Sequence, residues 1–149
     1  MSAAAPTGPR PDLLQLLTQA ERLLQRRLSA ILRAEDCSAE AWRVLSLLAA
    51  EGGRPMTEVA DAAFLPPGTL TKVVDQLVEQ SLVYRRVDPL DRRRIRAYLS
   101  PRGRQLHDRI AARIADSIGE IALPAAERDQ LVGLLGALAD ALSRRPVAV

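Results

Sequence analysis

At 149 residues the chain is long enough to bury one apolar core and short for two independent ones. Its 48% hydrophobic and 26% charged composition is that of an ordinary globular protein, which excludes disordered and fibrous classes, and with only 3% aromatic residues the core must come from Leu, Ile, Val and Ala. The net charge of +3 is unevenly placed: between Tyr84 and Arg104 eight arginines face two aspartates, so this window is +6 and the remainder −3.

A core rich in Leu and Ala favours helix, so a mainly α fold is expected. Residues 1–11, with Ala3 to Ala5, Pro6, Gly8, Pro9 and Pro11, are expected to be a disordered tail, and residues 12–149 a single domain. Asp12 opens a first helix as N-cap, with Gln15 three residues on and apolar positions at Leu13, Leu17, Ala20, Leu24, Leu28 and Ile31. Leu14, Leu16, Leu23 and Leu32 widen that face beyond one stripe, so it should pack against more than one neighbour. Ser38 starts a second helix through Val44, Leu45, Leu47 and Leu48, stopped by Gly52 and Gly53. Thr57 is the expected N-cap of a short third helix carrying Val59, Ala60 and Ala63. The pair Pro66-Pro67 then suits the first turn of a fourth, with Leu70, Val73, Val74, Leu77 and Val78 at helical spacing. Leu82 to Tyr84 and the alternating Ile95, Ala97 and Leu99 read as two strands around a basic loop. Ser100-Pro101 and Pro124 open two last helices, the second with Leu131, Leu134, Leu135, Leu138 and Leu142 on one face.

Helix, turn, helix, strand, charged loop, strand is an order suited to duplex DNA. The second helix of such a pair presents its N-terminal residues to base edges in the major groove. Here these are Pro67, Gly68, Thr69, Leu70, Thr71 and Lys72: the threonines offer hydroxyls, Gly68 permits close approach and Lys72 brings a positive charge. Arg92, Arg93 and Arg94 at the tip of a two-stranded ribbon suit a narrow minor groove, whose negative potential favours guanidinium. Asp91 beside them works against bulk charge and is read as a local anchor that fixes one arginine and shapes the loop. A solvated charged surface and an ordinary bundle helix are the plainer alternatives for the same residues.

The stretch from Met56 to Gly103 resembles the MarR family, named after the multiple antibiotic resistance regulators. The resemblance rests on VVDQL at Val73 to Leu77, LVYRR at Leu82 to Arg86, DPLDRR at Asp88 to Arg93 and LSPRG at Leu99 to Gly103, in that order. It implies a winged helix-turn-helix lobe over 38–100 and dimerisation helices over 12–37 and 101–149. It further implies an obligate homodimer on a pseudo-palindromic operator, with Thr69, Thr71 and Lys72 on the reading helix. Arg93 falls on the wing arginine of the minor groove, and Asp91 on its acidic partner. The family's usual effector site, an apolar pocket for a small aromatic or anionic compound, implies release from DNA by ligand; Trp42, Arg43 and His107 are candidates for its lining. Pro66-Pro67-Gly68 departs from the Ser or Lys that many members carry there, so base preference does not transfer.

Other functions fare worse. No Gly-rich phosphate loop, GxSxG elbow or paired Cys and His set occurs, so an enzyme is not expected. One cysteine and one histidine leave neither a disulfide framework nor a metal site, and no cofactor is implied. No run of about 18 apolar residues exists and Met1 to Arg10 lacks the apolar middle of a signal peptide, so a soluble cytoplasmic protein without a membrane partner is expected. The reading is thus a DNA-binding transcriptional repressor released by a small ligand. Its rivals are a redox-responsive regulator acting through Cys37, and a winged-helix protein that binds DNA without sequence preference. Cys37 follows the first helix and is flanked by Glu35 and Asp36, whose charge disfavours the reactive thiolate.

Overall fold

The computed structural model describes residues 12–144, so the tail expected over 1–11 lies outside the described residues. In chain order the elements are α1 (Leu13–Ala34), α2 (Ala39–Glu51), β1 (Arg54–Pro55), α3 (Met56–Ala63), α4 (Pro67–Glu79), β2 (Val83–Val87), β3 (Ile95–Leu99), α5 (Pro101–Gly119) and α6 (Ala125–Arg144). This is the mainly α, winged helix-turn-helix architecture that the apolar spacing and the basic loop anticipate. Ser38 caps α2 as its position suggests, its hydroxyl accepting the Ala41 N–H at 3.0 Å. Gly52 ends that helix at φ 75, a conformation that strains any residue with a Cβ.

Three local expectations are corrected. Asp12 occupies the N-cap of α1, but its side chain accepts no capping hydrogen bond. Thr57 is not an N-cap: α3 begins one residue earlier, at Met56, with Pro55 as its cap. The reason is the third correction, a strand that the sequence pattern hides. Arg54 and Pro55 pair antiparallel with Ala97 and Arg96, giving a three-stranded sheet of order β1-β3-β2 in place of a two-stranded ribbon. Two residues are too few to show alternation, and proline is tolerated only because β1 lies at the sheet edge.

The core is a cluster of aliphatic side chains drawn from α2, α3, α4 and the sheet, with Val44, Leu45, Val59, Val74 and Ala97 fully buried. The base of the ribbon is fixed by Ser100. Its hydroxyl donates to the Ser81 carbonyl at 2.7 Å and accepts the Gly103 N–H at 2.9 Å, so one side chain starts α5 and closes the entry to β2. Gly103 has no room for a larger residue, since a Cβ there would lie 2.0 Å from the Leu82 carbonyl oxygen. At the far end of α1, Glu35 accepts from Arg109 at 2.9 Å and pairs with Arg113 at 3.0 Å, both on α5.

The chain divides into two compact units, one ending at Ala115 and one beginning at Asp116. The first holds the winged lobe with α1. In the second, α6 buries none of its side chains, and Leu131, Val132, Leu134, Leu135 and Leu142 are all exposed. Among the described residues no helix is long and apolar enough to cross a membrane.

Candidate nucleic-acid interface

The turn into α4 is set by backbone conformation. Phe64 ends α3 in the left-handed region at φ 54, its N–H satisfied by carbonyls of α3, and Pro66 then enters α4 in extended geometry. Helical periodicity divides α4 cleanly. Leu70, Val73, Val74 and Leu77 are buried, whereas Pro67, Gly68, Thr69, Thr71 and Lys72 are all exposed. The Thr71 hydroxyl donates to the Pro67 carbonyl at 3.0 Å. Its proton is therefore committed to its own helix, and what it offers a base is an acceptor lone pair and a methyl group. Around Gly68 no heavy atom lies within 4 Å of where a Cβ would stand.

The wing is built on two aspartates. Asp88 is the buried charged side chain among the described residues, 5% exposed, and it sits where β2 ends. Its carboxylate accepts the Leu90 N–H at 2.9 Å and the Arg96 guanidinium at 3.1 Å, and Arg96 reaches on to the Gly53 carbonyl at 2.6 Å. These donors, the Leu90 amide foremost and the guanidinium next, hold the Asp88 carboxyl below the usual carboxylate range. Asp91 repeats the turn: its carboxylate accepts the Arg93 N–H at 3.0 Å while its carbonyl accepts the Arg94 N–H at 2.9 Å. The Asp88 N–H donates to the Arg94 carbonyl and closes the loop.

Asp91 thus shapes the loop, but the side chain it meets is Arg94, at 3.8 Å, rather than Arg93. The turn places the Arg93 amide over the carboxylate and leaves its guanidinium clear of it. Arg92, Arg93 and Arg94 are all exposed.

Pairing of β2 with β3 decides what the ribbon shows to either side. Tyr84 stands directly opposite Tyr98, the rings stacked at 5.3 Å, with the Arg86 guanidinium 5.3 Å from the Tyr84 centroid. On the alternate positions Arg85 pairs with Asp75, fastening the ribbon to α4. Between them lies an open groove of about 500 Å³ whose lining includes Thr57, Thr71, Arg85, Arg93, Arg94 and Ile95. The structure therefore brings Thr71 of the helix and Arg93 and Arg94 of the wing to one concave surface. Asp75, Arg85, Asp88 and Arg96 were not singled out from the sequence. The Asp88-Pro89 pair is a turn signal that points to the first aspartate, but the partners of Arg85 and Arg96 depend on strand register, which the sequence does not display.

Of the three candidates for a ligand pocket, Trp42 and His107 meet, their rings stacked at 5.2 Å and 11°. His107 is half-buried, and its Nδ1 lies 2.9 Å from the Asp108 carboxylate. Arg43 is exposed. Burial, and after it the Glu35 charge, pushes the Cys37 thiol up to about 11. The direction is the one its acidic neighbours suggest, although desolvation is the larger cause.

A model of the MarR family matches residues 35–94, from the entry to α2 through the wing. A transcriptional regulatory protein assigned to the hcr operon of Thauera aromatica is 31% identical over 121 residues, which is 80% of this chain and 73% of that protein. The chain belongs to the MarR family. With the HTH-type transcriptional regulator MhqR of Bacillus subtilis it shares 29% identity over 91 residues, covering 61% of this chain and 63% of MhqR, so it spans less than two thirds of that relative's length. Among solved MarR-like folds it resembles the transcriptional repressor CouR bound to a 23-mer DNA duplex, at 26% identity and TM-score 0.76 over 86% of this chain and 92% of CouR. It also resembles BpsR of Bordetella bronchiseptica, whose DNA binding is regulated by 6-hydroxynicotinic acid, at 27% identity and TM-score 0.66 over 83% of this chain and 98% of BpsR.

Proposed function

We propose that this MarR-family chain is a sequence-specific, double-stranded DNA-binding transcriptional repressor. It acts as a homodimer on a pseudo-palindromic operator and is released by a small aromatic or anionic ligand. The observation that carries the reading is the shared groove, with Thr71 of α4 on one side and Arg93 and Arg94 of the wing on the other. One lobe thereby offers a reading helix for a major groove and a cationic loop for the adjoining minor groove. In this division of labour Pro67, Gly68, Thr69, Thr71 and Lys72 meet base edges and nearby phosphates, Arg92, Arg93 and Arg94 meet the minor groove, and Asp91 holds their loop. Residues 38–100 form the DNA-binding lobe, and 12–37 with 101–149, of which 145–149 lie outside the described residues, supply the dimer helices.

A second copy of the chain is supported by the leucines of α1 and α6. Leu13, Leu14, Leu16, Leu23 and Leu24 are exposed on α1, and five large aliphatic side chains are exposed on α6. Apolar area of this extent marks an interaction surface. A ligand site beside Trp42 and His107 is supported by their stacked, half-buried rings, a pairing of aromatic faces suited to a flat aromatic compound.

Titration of a labelled palindrome from the region upstream of its own reading frame, against a random duplex of equal length, tests the reading. Binding should be about 10³-fold or more tighter to the palindrome, at two chains per duplex. Equal affinity for both duplexes would leave a winged-helix protein without sequence preference.

A further inference from the structure

At the tip of the wing, Leu90 is 95% exposed, the highest of the large hydrophobic residues described. A lone exposed leucine is ordinarily unremarkable. This one is not on a slack loop. Its amide is held by the Asp88 carboxylate, Asp88 by Arg96, and Arg96 by the Gly53 carbonyl at the end of α2. The loop is closed from Asp88 to Arg94, and Asp91 fixes the turn that follows. Three hydrogen bonds through two side chains, the buried Asp88 carboxylate and the Arg96 guanidinium, thus carry the position of Leu90 back to the body of the lobe. Proline at 89 stiffens the approach further.

The leucine also has company. Val87 and Ile95, directly opposite each other in the ribbon, are 57% and 47% exposed. The loop and the ribbon end that carries it therefore expose three aliphatic side chains, Val87, Leu90 and Ile95, together with three arginines, Arg92, Arg93 and Arg94. That pairing of chemistries matches the minor groove of B-DNA. The groove is about 6 Å wide, its negative potential draws guanidinium, and its walls are deoxyribose C–H groups that an aliphatic side chain can pack against.

We propose that Leu90 is a DNA contact, seated against the sugar walls of the minor groove while the neighbouring arginines bind along the groove. The inference rests on the DNA-binding reading given above and adds to it an apolar, salt-independent component of wing binding. It also assigns Arg96 a purpose: with Asp88 it positions the leucine before DNA arrives, so that little ordering is left to be done on binding.

Full-length wild type, Leu90→Ala and Arg93→Ala are compared by fluorescence anisotropy on the palindromic duplex over a range of salt, with hydroxyl-radical footprinting of the sugars and dimethyl sulfate probing of guanine N7. Leu90→Ala should melt like wild type, since the side chain packs on nothing in the folded chain. Its affinity should fall roughly three- to tenfold at every salt concentration, as suits partial burial of one leucine, with the salt slope unchanged. Protection of the wing-proximal sugars should weaken while major-groove protection stays. Arg93→Ala should lower the slope by about one charge per half-site. Equal affinity and unaltered sugar protection for Leu90→Ala would overturn the proposal and leave the leucine to a protein partner. A loss that also lowers the salt slope would overturn it too, by showing that Leu90 only holds the arginines in place. If wild type binds neither the palindrome nor random duplex, the regulator reading itself falls and takes this inference with it.

Discussion

Gly68 stands in the first turn of α4 with open space where its side chain would be, so nothing within the folded chain requires a glycine there. Alanine should therefore raise helix stability by up to about 1 kcal/mol. If the glycine serves the approach of a base edge or phosphate, Gly68→Ala will raise the melting temperature and weaken operator binding at once. A stabilised variant that binds as wild type would remove Gly68 from the interface. At Cys37 the argument is about reactivity. With the thiol pushed up to about 11, the thiolate at neutral pH is a fraction on the order of 10⁻⁴. Peroxide should leave operator binding unchanged, and alkylation should speed up about tenfold per pH unit between pH 7 and 10. Peroxide-driven release that disappears in Cys37→Ser would instead make this residue the sensor. Residue type alone made Thr69, Lys72 and the three wing arginines visible in the sequence. It did not reveal that the Thr71 proton is spent on its own helix, because that depends on a rotamer.

Among the elements, those with strong apolar spacing were legible. The boundaries of α4 and α5 follow from Pro66-Pro67 and Ser100-Pro101, since proline fixes a first turn without needing a donor. β1 was not legible, because two residues carry no period and the pairing with β3 spans more than forty positions of sequence. The wing was legible as a basic loop and not as a pinned one. Gly103→Ala tests the junction of β2 with α5: the added methyl meets a backbone carbonyl, which cannot swing aside like a side chain, so a loss of about 1–3 kcal/mol is expected by chemical denaturation. For the wing, the sign of the Asp88 shift sets the pH window. A carboxyl held below its ordinary value contributes stability that is present above about 3.9, the unfolded value, and fades as the pH falls through the lower folded value. Hydrogen exchange of the Leu90 amide should thus stay protected from pH 5 to 8 and lose protection only in stronger acid. Asp88→Asn should remove that acid-dependent step.

At the scale of the whole molecule the question is what α6 does for the chain. Its helix buries no side chain of its own, while every member of the main core cluster lies between Ala41 and Ala97. A chain cut before Pro124 therefore keeps the interior that holds α2, α3, α4 and the sheet together, and it loses five exposed large aliphatic side chains that gain nothing from water. If α6 exists to meet a second copy, the shortened chain will be monomeric by sedimentation yet keep a cooperative thermal transition and the helical signal of the remaining elements. Its DNA binding separates the roles further. Two lobes joined in a dimer engage the second half-site at the effective concentration set by their linkage, which is commonly worth a factor of 10² to 10⁴. The shortened chain should accordingly bind a full palindrome no more tightly per lobe than a single half-site, and weaker than the intact chain by about that factor. A truncated protein that still sediments as a dimer would place the interface on α1 and α5 alone. One that loses its cooperative transition would show that α6 supports the fold of the lobe and not only its pairing.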